Sequence, residues 1–137
     1  MSQISNKLKF FLQLAKTNAF LSRRFSSQGL GFGDIAVLYY INRSPTGKIR
    51  RVDLAEAVGL TSSGVTRLLL PLEKIGVIQR EINERDARVS YASLTQAGKT
   101  LLTQSLESAE VICDDLISAD AAKKLEDFSA VLAGIKN

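Results

Sequence analysis

The sequence predicts a mainly α-helical fold with a small β-hairpin: a winged helix-turn-helix carrying long N- and C-terminal helices. Three observations lead there. Two amphipathic stretches are separated by Gly59-Leu60-Thr61, the spacing and turn chemistry of a helix-turn-helix. After them, two runs rich in β-branched and aromatic residues flank Asn83-Glu84-Arg85-Asp86-Ala87-Arg88, as a hairpin with a charged tip requires. Apolar residues at helical spacing occupy both ends of the chain.

Taken in order, Ile4, Leu8, Phe11, Ala15, Ala19 and Phe25 predict a long first helix reaching about Phe25. Gly29, Gly31 and Gly33 are expected to break it as a turn, because a residue without a Cβ enters left-handed conformations easily. No strand precedes them, which argues against a phosphate loop. A second helix is expected from about Phe32 to Asn42, with Phe32, Ile35, Ala36 and Tyr39 on one face, ended by the turn Ser44-Pro45-Thr46-Gly47. Val52, Leu54, Ala55 and Val58 mark a short third helix closed by Gly59. Thr61 fits the N-cap of the fourth, its hydroxyl placed to accept from an amide near Gly64. Val65, Leu68, Leu69 and Leu72 form that helix's inward stripe, Pro71 predicts a bend, and Gly76 ends it. Val77 to Ile82 and Val89 to Leu94 are the two expected strands. Thr95 then caps a long helix through Leu102, Leu106, Ala109, Ile112 and Leu116. From Ser118, the residues Ala121, Leu125, Phe128, Leu132 and Ile135 form one further apolar stripe. No linker divides the chain, so 1–137 is expected to be a single domain: a winged-helix lobe at 32–94 between end helices at 1–28 and 95–137.

Composition narrows the function classes. A chain of 137 residues that is 45% hydrophobic and 23% charged can bury a core without disulfides. Its longest apolar runs, such as Ala36-Val37-Leu38-Tyr39-Tyr40-Ile41, are too short to span a bilayer. Met1-Ser2-Gln3 opens directly into amphipathic sequence without a signal-peptide pattern, so a cytoplasmic chain is expected. The lone Cys113 agrees, and its place beside Ala109 and Leu116 predicts a buried structural thiol. The absence of histidine removes Ser–His and Cys–His chemistry and most zinc sites. Asp114 and Asp115 diverge on a helix, and there is no nucleotide-binding loop. No enzyme, metal or cofactor is expected.

Charge is distributed unevenly. Residues 1–42 carry 5 basic and 1 acidic side chains, residues 43–94 carry 9 and 6, and residues 95–137 carry 4 and 7. A basic first two thirds favours a polyanionic partner, nucleic acid being the commonest. On the fourth helix, Ser63, Thr66 and Arg67 fall opposite the leucines, with Thr61 and Ser62 at the positive end of its dipole. Short hydroxyls let a helix approach base edges and phosphates, and Arg67 can pair with guanine in two-pronged fashion or clamp a phosphate, so this helix is expected in a major groove. Arg85 and Arg88 at the hairpin tip can enter a minor groove, with Asp86 holding Arg88 extended. Arg50 and Arg51 are expected at phosphates. A competing reading is a winged-helix protein-interaction module that never touches DNA.

Asp86-Ala87-Arg88, five residues, then Leu94-Thr95 and Gly98 resembles the D-x-R-x5-L-T-x-x-G wing signature of the MarR-type transcriptional regulators. The run from Asp53 to Thr61, continued through Gly76-Val77-Ile78, is similar to that family's helix-turn-helix and its entry into the wing. The resemblance implies a homodimer built from the first and last two helices and a roughly palindromic double-stranded DNA operator. It also implies repression relieved by a small-molecule effector bound between the dimer helices and the DNA-binding lobe. Phe10, Phe11, Tyr39 and Tyr40 are candidates to line that space, although such aromatics more often belong to a core. Three amphipathic helices at the two ends carry more apolar stripe than one small winged-helix core needs, which supports pairing independently; the alternative is a monomer whose terminal helices pack back on its own core.

Overall fold

The computed structural model describes residues 3–136; Met1, Ser2 and Asn137 lie outside it, and with them the first two residues of the expected leaderless start. The elements run α1 (Asn6–Arg24), α2 (Phe32–Arg43), β1 (Lys48–Arg50), α3 (Arg51–Val58), α4 (Ser62–Lys74), β2 (Ile78–Ile82), β3 (Ser90–Leu94), α5 (Gln96–Leu116), α6 (Ala119–Ala122) and α7 (Leu125–Ala133). The fold is the mainly helical winged helix-turn-helix that the sequence predicts. The wing is a three-stranded antiparallel sheet of order β1-β3-β2, one strand more than the expected hairpin. Lys48–Arg50 pairs with the far edge of β3, Ile49 opposite Ala92. Three residues with two cations among them carry no readable alternation; β1 exists because β3 offers it an unpaired edge.

Hydroxyl caps place the helices. Thr61 Oγ1 accepts from the Gly64 amide at 3.1 Å, as expected, and Gly59 adopts φ +71° to turn the chain from α3 into α4. Thr95 does two things at once. Its Oγ1 accepts from the Gly98 amide at 3.0 Å and donates to the Gly76 carbonyl at 2.6 Å, fastening the start of α5 to the end of α4. Before α2, the Gly31 amide donates to Asp34 Oδ2 at 2.9 Å, and Gly33 lies inside the first turn of the helix instead of breaking one. Pro71 sits within α4, which continues to Lys74.

The core is contributed mainly by α2 (Ile35, Val37, Leu38, Ile41), α3 (Leu54, Ala55), α4 (Val65, Leu69, Leu72) and the wing (Val77, Ile78, Ala92, Leu94), with Leu102 from α5. α2 does not bury the single face that Phe32, Ile35, Ala36 and Tyr39 suggested. It is surrounded, so residues on several sides are covered while Tyr39 stays exposed. The last stripe is also not one helix. At Lys123 and Lys124 the amides donate three residues back, to Asp120 and Ala121, and this tighter winding separates α6 from α7.

Gly98 explains the spacing of the L-T-x-x-G segment. A Cβ added there would stand 2.0 Å from the Val77 carbonyl oxygen, and that oxygen is itself held by the Thr95 amide at 3.1 Å. Backbone on both sides cannot give way cheaply. Gly98→Ala is expected to destabilise the fold by about 1–3 kcal/mol, the usual cost of overpacking; denaturant unfolding measures it, and an unchanged midpoint would contradict the packing.

The two ends contrast with this core. No residue of α1 or α7 is buried, and Leu8, Phe11, Leu12, Phe20, Phe128, Val131 and Leu132 are exposed along them. The single chain presents 10132 Å² of accessible surface. A folded monomer of its 14.9 kDa mass is expected to present about 7,000 Å².

Candidate nucleic-acid interface

Because Val65, Leu69 and Leu72 are drawn into the core, the helical repeat turns Ser63, Arg67, Leu70 and Lys74 outward, and all four are exposed. Ser62 is exposed at the N-terminus beside Thr61, whose Oγ1 lies 3.1 Å from Ser63 Oγ. Among the described residues Arg67 has no hydrogen-bond or ion-pair partner, so its guanidinium is available.

Two expected contact residues have partners inside the lobe. Arg51 Nη2 donates to Thr66 Oγ1 at 2.9 Å, and Arg51 Nη1 lies 3.6 Å from Glu73 Oε1, with the arginine side chain only 19% exposed. Thr66 Oγ1 in turn donates to the Ser62 carbonyl at 3.0 Å. Arg51 and Thr66 are thus tied to each other and to α4, with further guanidinium N–H groups of Arg51 left over. The physical reason is position: Arg51 is the first residue of α3, where its side chain crosses to α4 and finds an acceptor and a carboxylate. Together they set α3 against α4. Glu73 was missed because a charge on the flank of a helix gives no sequence sign of a partner on another helix.

At the wing tip, Asn83 Oδ1 accepts from the amides of Arg85 and Asp86 at 2.8 and 3.2 Å, a side-chain turn that closes the loop. Asp86 Oδ1 accepts from both the Arg88 amide (3.0 Å) and Arg88 Nε (3.1 Å), and Oδ2 from Arg88 Nη2 at 3.3 Å. The carboxylate thus grips the guanidinium in two places, while the Arg88 side chain remains 91% exposed. The Arg88 side chain, the Arg88 amide and, more weakly, the charge of Arg50 hold the Asp86 carboxyl below its ordinary range. It is ionised at neutral pH. Arg85 is exposed, its side chain without a partner among the described residues. Arg50, Arg88 and the edge of Arg51 line one cleft of about 240 Å³ between the start of α3 and the wing.

Sequence reasoning missed Lys48, whose strand it did not foresee. Lys48 Nζ lies 3.2 Å from Glu81 Oε1 and 4.8 Å from the centre of the Tyr91 ring, so it braces the wing across all three strands. Leu70 was hidden among neighbouring leucines.

A second concavity lies away from these residues. An apolar cleft of about 330 Å³ is lined by Phe20, Leu21, Phe25, Phe32, Cys113 and Leu116 among others. Phe25 and Phe32 stack at 4.6 Å within it. The expected lining differs: Phe10 and Phe11 border α7 near Val131 and Ile135, and Tyr39 packs edge-on against Tyr40. Cys113 is exposed in the single chain, not buried, because it lies on the open wall of this cleft between α1 and the end of α5. Partial desolvation, then the charges of Glu110 and Asp114, push its thiol up, so it is protonated and weakly nucleophilic at neutral pH. Asp115 meets Arg24 at 3.5 Å in an exposed ion pair.

Residues 33–90 match the family model described as the MarR family. The uncharacterized HTH-type transcriptional regulator YwhA of Bacillus subtilis is 28% identical over 81 residues, which is 59% of this chain and 58% of that protein. The chain thus covers less than two thirds of this relative. Among solved structures, the transcriptional regulator BldR from Sulfolobus solfataricus superposes with a TM-score of 0.82 at 22% identity, over 98% of this chain and 100% of that one. Sco3205, a MarR family transcriptional regulator from Streptomyces coelicolor solved in complex with DNA, gives 0.75 at 19% identity, over 97% and 89%. At these identities the structures establish a shared fold.

Proposed function

We propose that the chain is a MarR-type winged helix-turn-helix transcriptional regulator, the family whose model residues 33–90 match, that it binds double-stranded DNA sequence-specifically as a homodimer, and that it represses transcription until a small ligand releases it. In this reading residues 1–137 act as one cytoplasmic unit, the 32–94 lobe reading DNA and the two ends pairing. α4 enters the major groove with Thr61, Ser62, Ser63 and Arg67, while Arg85 and Arg88 reach the minor groove. Thr66 and Arg51 support α4 from behind.

The observation that carries the proposal is the Asp86–Arg88 pair. A carboxylate on a DNA surface repels phosphate, and a solvent-exposed pair adds little to stability. Its use is to hold a guanidinium extended for something outside the molecule. Sco3205, which shares the fold, was solved with DNA bound.

Pairing is supported by surface. The roughly 3,000 Å² that the chain exposes beyond a monomer of its mass is of the order that a large two-fold interface removes, and α1 and α7 bury no residue of their own. Two recognition helices related by that axis need to stand about 34 Å apart to read a pseudo-palindrome one turn long. The apolar cleft beside Phe25 and Phe32 is of a size for a small aromatic or aliphatic effector, at the junction of the end helices with the lobe.

Titration of a labelled duplex, enriched from a random-sequence pool, against salt tests the DNA reading. Affinity is expected to fall steeply, with a log–log slope of about −0.9 per phosphate neutralised. A flat response, or no enrichment, favours the protein-interaction module instead.

A further inference from the structure

We propose that Leu70 is a specificity-determining residue that contacts the 5-methyl group of a thymine in the major groove. The inference rests on α4 being the DNA-reading helix. α4 carries five leucine or valine side chains. Val65, Leu69 and Leu72 are buried and Leu68 packs partly against them, whereas Leu70 is 48% exposed on the opposite side. Helical spacing makes Thr66, Arg67, Glu73 and Lys74 its neighbours at three and four residues, so Leu70 is an isolated apolar side chain on a polar, cationic face. That is not the extended apolar patch that protein partners use.

The face from Ser63 to Leu70 rises about 10 Å along the helix axis, about three base steps at 3.4 Å each. Ser63 and Arg67 offer hydrogen bonds along the first part of that span. Leu70 offers none. An aliphatic side chain distinguishes base pairs only by apolar contact, and in the major groove the base-edge group that provides it is the thymine C5-methyl. Arg67 and Lys74 on either side would draw the backbone close and leave Leu70 against the base edges. The proposal assigns Leu70 preference for an A·T pair of one orientation, next to the position that Arg67 reads.

The test uses the full chain and the best duplex enriched from a random pool, resynthesised with deoxyuridine replacing one thymidine at a time. This removes the methyl group and nothing else. One position per half-site is expected at which wild type loses about fourfold in affinity, the value of one buried methyl-sized group. Leu70→Ala should bind the unmodified duplex more weakly by a similar factor and lose nothing further on the deoxyuridine duplex. Leu70→Met, which keeps an apolar tip, should keep the sensitivity. Since Leu70 is half exposed, thermal unfolding of both variants should match wild type. If no deoxyuridine position matters, or if Leu70→Ala remains sensitive, the assignment of Leu70 is overturned while DNA binding stands. If no duplex is enriched at all, the DNA-binding reading falls together with it.

Discussion

Phe128→Asp is expected to turn a dimer into monomers and to remove operator binding. Phe128 lies on α7, 54% exposed in the single chain, with Leu125, Val131 and Leu132 exposed on the same helix. In an isolated monomer such a substitution touches a solvated position, and its effect on stability should stay within about 0.5 kcal/mol. In a two-fold interface it buries two carboxylates, one per subunit, in an apolar surface. Desolvation without a partner is then prohibitive. The prediction therefore has three readouts that a structural role alone would not move together. Sedimentation should show half the wild-type mass at micromolar concentration, and the concentration dependence of the melting temperature should disappear. Operator affinity should fall by at least about 100-fold, the lower bound of what linking two half-site contacts contributes. A variant that remains dimeric and binds normally would place the subunit interface elsewhere, on surface that the end helices do not supply.

Local chemistry was legible wherever the sequence spelled a complete device within a few residues. Thr61 and Thr95 each precede an amide three positions on, so their caps at Gly64 and Gly98 could be read directly. The Asp86–Arg88 pair is two residues apart on a tight loop and has little choice of geometry. The inward stripe of α4 was readable because that helix has one covered side. Central α2 was misread for the same reason in reverse, since a helix covered on several sides has no single stripe.

What escaped notice depends on partners distant in sequence. β1 forms only because β3 arrives some forty residues later to pair with it. Arg51 points inward because α4 presents Thr66 and Glu73 to it, 15 and 22 residues further on. From sequence it was one of two adjacent arginines, and nothing distinguished it from Arg50, which is exposed. Cys113 looked buried because its own helix is amphipathic there, yet amphipathicity states what a face needs, not whether the same chain covers it. The same gap between need and cover on α1 and α7 is what argues for a second subunit.

Arg88→Ala should weaken binding to every duplex, specific or not, by about tenfold per wing and so by about 100-fold for a dimer with two wings, if each contact is worth ~1–2 kcal/mol. The salt slope should become shallower by about 2, one phosphate's worth from each subunit. Asp86 refines the prediction, because it touches the partner only through Arg88. Asp86→Asn keeps an acceptor for the Arg88 amide but loses the charge that grips Nε and Nη2. Arg88 then samples other orientations, and affinity should fall by less than in Arg88→Ala. The double variant should be no weaker than Arg88→Ala alone, since a positioning residue has nothing left to position. The opposite sign is equally readable: if Asp86→Asn binds more tightly, the carboxylate acts on phosphate as a simple like charge, and the pairing with Arg88 has no role in presenting it. Acidification offers a check without mutation. Arg88 holds the Asp86 carboxyl below its usual range. A lowered folded-state value means that the clamp is intact above the ordinary carboxylate pKa of about 3.9 and is lost only as pH falls through the depressed value. Between neutral pH and about pH 5, then, the contribution of Arg88, measured as the affinity ratio of wild type to Arg88→Ala, should not change.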